Sequence, residues 1–232
     1  MRKLSSAILE ARESGKVPLI ADIKAISPRD GDLVRERDPH LLARSLVEGG
    51  ACALSVVTES ANFGGSLDLL RRVAGAVTVP VLRKDFITSP DQLDETLEAG
   101  SSAVLLTLAT IPESLLAPIY RRARSLGLEA VLEVHTENEL KVALALDPDI
   151  VGINNRDILS LERDSGDVRV TEKLAPLVPE SVVTLSESSL LTGEDVRRAF
   201  AAGVDAVLVG TAILQSGEPA ARIADLTAGV RM

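Results

Sequence analysis

A chain of 232 residues with 46% hydrophobic and 25% charged side chains is long enough to bury one sizeable core and too apolar to stay disordered. Its net charge of -9, with no Trp, one Tyr and three Phe, offers neither a basic field for phosphate backbones nor stacking platforms for bases, which argues against a nucleic-acid partner. The lone Cys52 can form no internal disulfide, fits a reducing cytoplasm, and sits in the run Ala51-Cys52-Ala53-Leu54 as a small core residue.

The N-terminus carries Arg2 and Lys3, but Glu10, Arg12 and Glu13 interrupt the apolar centre that a signal peptide needs, so 1–17 reads as an amphipathic helical extension. No apolar stretch approaches the ~18 residues of a membrane span. Beyond the extension, runs rich in Val, Ile, Leu and Ala recur at intervals of roughly 25 residues, with amphipathic helical segments between them. They fall at 18–23, 53–57, 79–83, 103–108, 130–134, 150–153, 182–186 and 206–209. The runs are nearly continuously apolar, as strands covered on both faces must be, which predicts a parallel sheet with crossover helices. Eight such units predict one (β/α)8 TIM barrel spanning 1–232 as a single domain. A doubly wound open sheet is the alternative, but no Gly-x-Gly-x-x-Gly follows the first strand.

Gly50, Gly100, Gly127 and Gly203 each stand three residues before an Ala that opens an apolar run, a spacing that suits glycines ending one helix just before the next strand. Chance recurrence in an Ala-rich chain is the competing explanation. The longest loops are expected at 27–38 and 154–166, after strands one and six. In a barrel, loops after strands carry the active site.

Polar residues then cluster where the strands end. Asp22, Lys24 and Ser27 follow the first, Arg83, Lys84 and Asp85 the third with Phe86 beside them, and Glu133 lies within the fifth. Asn154, Asn155, Arg156 and Asp157 follow the sixth, Glu187, Ser188 and Ser189 the seventh, Gly210 and Thr211 the eighth. A barrel brings all of them to one rim. Lys24, Lys84 and Glu133 have apolar flanks, and a buried charge survives only when paired or when its pKa moves. A lysine pushed toward neutrality could act as general acid and a walled-in carboxylate as general base, whereas a purely structural ion-pair network is the other use for such residues. Ser188-Ser189 and Gly210-Thr211 stand where barrels commonly hold phosphate, although both pairs could also be ordinary helix caps. His135 shares a strand face with Glu133 and is read as a structural loop histidine. His40, after the helix-start pair Asp38-Pro39, is read as solvated. Gly64-Gly65-Ser66 is read as a turn before the second helix, since no Lys follows as in a phosphate loop. No Cys/His spacing suggests a metal, and no Ser-His-Asp arrangement suggests a covalent nucleophile.

At these residues the sequence resembles the indole-3-glycerol phosphate synthase family. The matching stretches are Pro18-Leu-Ile-Ala-Asp-Ile-Lys24 with Ser27-Pro28, Leu54-Ser-Val-Val-Thr58 with Phe63-Gly-Gly-Ser66, Pro80-Val-Leu-Arg-Lys-Asp-Phe86, Leu132-Glu-Val-His135, Gly152-Ile-Asn-Asn-Arg-Asp157, Ser186-Glu-Ser188 and Asp205-Ala-Val-Leu-Val-Gly210. The resemblance implies a cytoplasmic lyase of tryptophan biosynthesis, a monomer or weak homo-oligomer, that works without cofactor or metal on a small phosphorylated substrate. That substrate is 1-(2-carboxyphenylamino)-1-deoxyribulose 5-phosphate, which is condensed, decarboxylated and dehydrated. It further implies Lys84 as the general acid of ring closure, Glu133 as base for dehydration, and Lys24 as a charge-neutralising proton donor. Asp22, Asn154, Arg156 and Glu187 would orient and polarise. Ser27, Ser188, Ser189, Gly210 and Thr211 would hold the phosphate, while Phe63 and Phe86 would wall the aromatic ring.

Such chemistry needs a strongly polarised carbonyl in a dry pocket, because bonding to an aromatic carbon destroys aromaticity for a moment. Four rim cations, Lys24, Arg29, Lys84 and Arg156, would draw a carboxylate and a phosphate into an acidic protein. Three departures from the family stand out: Asp22 in place of Glu, Ser189 in place of Gly, and a short N-terminal extension, which in the family helps cover the substrate. They leave room for a diverged phosphate-binding isomerase or lyase acting on another phosphosugar or arylamine, or for a non-catalytic binding barrel.

Overall fold

Residues 2–34, 36–156 and 166–230 are described by the computed structural model. The loop expected at 154–166 therefore lies mostly outside the described residues, Asp157 included. The eight apolar runs become eight parallel strands: β1 Leu19–Ile23, β4 Ala53–Val57, β5 Val81–Lys84, β6 Ala103–Thr107, β7 Glu129–Val134, β8 Ile150–Asn154, β9 Val183–Glu187 and β10 Ala206–Val209. Neighbours in sequence are neighbours in space, and β1 closes the ring by pairing with both β10 and β4. The open-sheet alternative is thereby excluded. What was expected as a plain loop after β1 contains a small antiparallel hairpin, β2 Ile26–Ser27 with β3 Gly31–Asp32.

Helices α2 Pro39–Glu48, α3 Leu67–Ala76, α4 Asp91–Glu98, α5 Glu113–Ser125, α6 Glu137–Leu144, α7 Arg169–Leu174 and α8 Gly193–Ala201 alternate with the strands, followed by α9 Thr211–Leu214 and α10 Pro219–Thr227. Their starts are written in the sequence. The Asp38 side chain accepts from the backbone N–H of His40 and Leu41 with Pro39 in the first helical position. Ser66, Thr136 and Thr192 cap α3, α6 and α8 in the same way. The four recurring glycines all have positive φ, between 76° at Gly127 and 110° at Gly50, so their common register reflects a shared left-handed helix exit rather than chance.

Side chains alternate along a strand, so one set fills the barrel interior and the other packs beneath the helices. The inward set begins apolar and ends polar: Ile20 precedes Asp22, Leu82 precedes Lys84, Leu105 precedes Thr107, Val131 precedes Glu133 and Leu185 precedes Glu187. The outward set, including Ile23, Leu54, Val56, Val104, Leu106 and Ile153, joins the helices in the larger core. Helix α1, Leu4–Glu13, closes the amino-terminal end of the barrel. Leu4 and Ile8 are fully buried in the interior cluster, and the Ser5 hydroxyl donates at 2.5 Å to Glu129, the first residue of β7. Among the described residues, the helix of the extension thus plugs the bottom of the barrel, the end opposite the polar one. Cys52 is half-buried against the same cluster, and burial pushes its thiol pKa up to about 11.

Candidate functional site

Because strand pairing carries through Lys84, Asn154 and Glu187, these residues are the last of their strands rather than the first beyond them, and their side chains point inward as a polar top layer. Register sets them side by side: Thr107 opposite Glu133, Glu133 opposite Gly152, Asn154 opposite Glu187. Gly152 is needed here because a Cβ on it would overlap Glu187 Oε1, so the glycine makes room for the carboxylate to fold across the barrel.

At the centre, Lys84 Nζ donates to Glu133 Oε2 at 3.1 Å and to Glu187 Oε2 at 3.0 Å. Both carboxylates are fully buried, while the Lys84 side chain keeps 18% of its surface open to the cleft above. One ammonium faces two glutamates, with Asp22 adding a third negative field. Burial opposes the lysine charge, yet Glu133, Glu187 and Asp22 together hold its pKa above the usual lysine range. The expectation of a lysine pushed toward neutrality is therefore reversed: three carboxylates keep Lys84 protonated. The two glutamates are then driven apart. Burial raises Glu133, but Lys84 and His135 outweigh it and leave its pKa below the ordinary value. Glu187, disfavoured by burial and by the charges of Glu133 and Asp22 against the pull of Lys84, is raised to about 7. His135 stands beside this group with Nε2 3.7 Å from Glu133 Oε1 and Nδ1 3.3 Å from Glu139 Oε2, so the residue read as a loop histidine borders the buried Glu133 carboxylate.

Around Lys84 opens a cleft with about 560 Å³ of unfilled space, open solvent at its mouth included. Asp22, Lys24, Phe63, Phe86, Asn154, Arg156 and Ser188 line it together with Lys84. Lys24 is almost fully buried, donates from Nζ to Thr211 Oγ1 at 3.3 Å, and lies 5.8 Å from the centre of the Phe63 ring. A second cavity of about 450 Å³ adjoins the first through Asp22, Lys24, Lys84, Arg156 and Ser188, and is bounded by Ser189, Gly210 and Thr211. Ser188 and Ser189 both hold left-handed backbone, φ 67° and 57°. Asn154 Oδ1 accepts from the backbone N–H of Arg156 at 3.0 Å and fixes the turn out of β8.

Two residues expected at the rim do not reach either cavity. The Ser27 hydroxyl accepts from the backbone N–H of Arg29 and Asp30 and donates to the Asp30 carboxylate, so it shapes the turn of the β2–β3 hairpin. Arg29 pairs with Asp30 at 3.1 Å instead of facing the cleft. Conversely, Glu59 lines the cleft without having been singled out, and Asp85, placed at the rim by its position after the third strand, lines it without having been given a role. Asp85 belongs to a buried network: Arg83 donates to Asp85 at 2.9 Å and to Thr58 at 3.1 Å, and Thr58 donates to Asp85 at 2.6 Å. The same guanidinium reaches Thr96 at 3.0 Å and the carbonyl of Gln92 at 2.8 Å, which ties the end of β5 to α4. An arginine inside an apolar run, two residues before an aspartate, was the available signal for it. Asn155, placed at the rim by position, was likewise given no role; its amide donates to Ser186, to the Glu187 carbonyl and to the Ser188 carbonyl, bracing the strand that presents Glu187.

Comparisons with known proteins show the family of the chain. A family model described as indole-3-glycerol phosphate synthase matches residues 1–226. Among curated relatives, the indole-3-glycerol phosphate synthase of Pyrococcus furiosus is 46% identical over 217 residues, 94% of this chain and 93% of that one. That of Thermococcus kodakarensis is 43% identical over 93% of each chain. The synthase of Kineococcus radiotolerans is 42% identical over 97% of this chain and 82% of its own length. Among solved structures, a chain of a cube-shaped, highly porous protein cage designed by fusing symmetric oligomeric domains superposes with TM-score 0.65 at 16% identity, over 91% of this chain and 71% of that one, a likeness of fold alone.

Proposed function

The chain belongs to the indole-3-glycerol phosphate synthase family, and from that premise we propose that the top layer of its barrel carries out the family's decarboxylating ring closure with Lys84 as the central acid. The enzyme is a lyase acting on a phosphorylated substrate. Identity of 42–46% across more than nine-tenths of the chain does not favour a diverged isomerase.

The observation that carries the assignment of roles is the Lys84 ammonium held between two buried glutamates at the floor of a cleft whose far wall is cationic and hydroxyl-rich. In the proposed sequence the phosphate occupies the cavity bounded by Ser188, Ser189, Gly210 and Thr211, with Lys24 supplying charge. The aromatic ring lies between Phe63 and Phe86. Lys84 donates a proton to the substrate carbonyl as the ring carbon bearing the carboxylate attacks it. The electron pair of the breaking carbon–carboxylate bond then restores aromaticity and carbon dioxide leaves. The resulting hydroxyl departs as water with a proton from Lys24, while Glu133, ionised by its lowered pKa, takes the proton lost from the adjacent carbon. Asp22 and Glu187 hold Lys84 charged for the first step, and Asn154 with Arg156 fixes the substrate's orientation. Ser27 acts on the phosphate only through the hairpin that it shapes.

The acidic chain with its one half-buried thiol supports a cytoplasmic setting, and we assign it a monomeric or weakly associating state; among the described residues, no helix is long and apolar enough to cross a membrane. Mixing the purified protein with the carboxyphenylamino-deoxyribulose phosphate and following indole fluorescence tests the proposal. Fluorescence should grow with enzyme concentration; phosphate binding without any indole would overturn it.

A further inference from the structure

Ser189 stands in a backbone conformation that side-chain-bearing residues adopt at a cost and keep only where their surroundings hold them there. Its hydroxyl lies 3.1 Å from Arg156 Nε, which donates to it. Gly166, itself at φ 49°, lies across both residues: a Cβ added to it would overlap Ser189 Oγ and Arg156 Cγ. The guanidinium side chain thus leaves the end of β8, receives a hydroxyl from the end of β9, and is covered by a residue with no side chain. Arg156 borders both cavities, whereas Ser189 borders only the second.

We propose that Ser189 is a positioning residue for Arg156: its hydroxyl, presented by the left-handed turn, fixes the guanidinium on the wall shared by the ring cavity and the phosphate cavity, with Gly166 as the cover that lets the pair form. The hydroxyl's main partner is then the arginine and not the phosphate, and the phosphate meets the backbone of this turn. The proposal rests on the reading above in which Arg156 orients the substrate. A charge-assisted hydrogen bond of this kind governs the angle of a long, flexible side chain, and a misaligned orienting group costs turnover even when the substrate still binds.

The test is a double-mutant cycle on the full enzyme with Ser189→Ala, Arg156→Ala and both together, reading kcat and KM for the aminodeoxyribulose phosphate and competitive inhibition by inorganic phosphate. Ser189→Ala should lower kcat/KM about 10-fold, leave the phosphate inhibition constant within about 2-fold, and have no further effect once Arg156 is alanine. Ser189→Gly should show the same kinetic loss while melting higher, because the left-handed strain is gone. That variant separates misfolding from mispositioning. Gly166→Ala should reproduce the loss although it removes no functional group. Equal losses from Ser189→Ala with and without Arg156, a weaker phosphate inhibition that tracks the loss in kcat/KM, or full activity in Ser189→Ala or Gly166→Ala would each overturn the pairing. Full activity in Arg156→Ala would instead overturn the substrate-orienting role of Arg156, and the pairing's purpose with it.

Discussion

The two ends of the barrel use the same inward-facing strand positions for opposite purposes. At the amino-terminal end, α1 inserts Leu4 and Ile8 into the interior, Ser5 donates twice to Glu129, and Arg12 pairs with Asp205, whose other oxygen accepts from the backbone of Thr184 at 2.9 Å. Charges there meet partners, and apolar groups are covered. At the carboxyl-terminal end one ammonium serves two fully buried glutamates, each of which keeps an oxygen with no hydrogen-bond partner among the described residues, and two serines hold left-handed backbone. The bottom is arranged to lower the free energy of the fold. The top keeps charge out of balance, which costs stability and creates groups with distinct acid strengths. Placing both on one set of strands lets the first support the second.

That contrast can be broken at either end. The largest effect belongs to the top: Lys84→Met should lower turnover by about 10²–10⁴-fold, the usual worth of a positioned proton donor, while circular dichroism at pH 6 still reports a folded barrel, because Glu133 and Glu187 can take up protons once their cation is gone. Simultaneous loss of fold and activity would make Lys84 a structural member like Glu129. Ile8→Ala at the bottom should do the reverse, costing about 2–5 kcal/mol in denaturant melts while kcat at 25 °C changes by no more than about 2-fold. A large fall in kcat there would show that the plug shapes the site directly.

A subtler effect is expected from Glu187→Gln. Glu187 binds its proton more tightly folded than unfolded, so its contribution to stability is complete below the unfolded value of 4.5 and is lost as pH rises toward about 7. Glu133, with its lowered pKa, has the opposite sign and acts below 4.5, outside that window. Melting temperatures taken across this interval should therefore slope downward for the native enzyme and flatten in Glu187→Gln. An unchanged slope would mean that Glu187 is not the group titrating there.

Much of this contrast could be read in the sequence, and the rest could not, for identifiable reasons. The recurring apolar runs predicted the barrel, and because the ends of its parallel strands share one rim, Asp22, Lys24, Lys84, Glu133, Asn154 and Glu187 could be assigned to that rim from the sequence alone. The charge state of Lys84 was beyond reach, since its partners lie 49 and 103 residues away and the sign of its shift depends on how many carboxylates arrive together. Ser27 and Arg29 were expected at the rim by position alone, but a side chain next to its own turn finds a local partner first, here Asp30. The need for glycine at 152 depends on the side chain of a neighbouring strand. The seat of α1 was equally hidden, because an amphipathic helix shows which face it buries and not which end of a barrel receives it.

The most direct test of the central claim is a crystal structure of the enzyme with its product, indole-3-glycerol phosphate. The indole should lie between Phe63 and Phe86, the phosphate in the cavity bounded by Ser188, Ser189, Gly210 and Thr211, and the carbon that loses its oxygen should face Lys84 Nζ within about 4 Å. Product bound with its phosphate away from that cavity, or with its ring remote from Lys84, would contradict it.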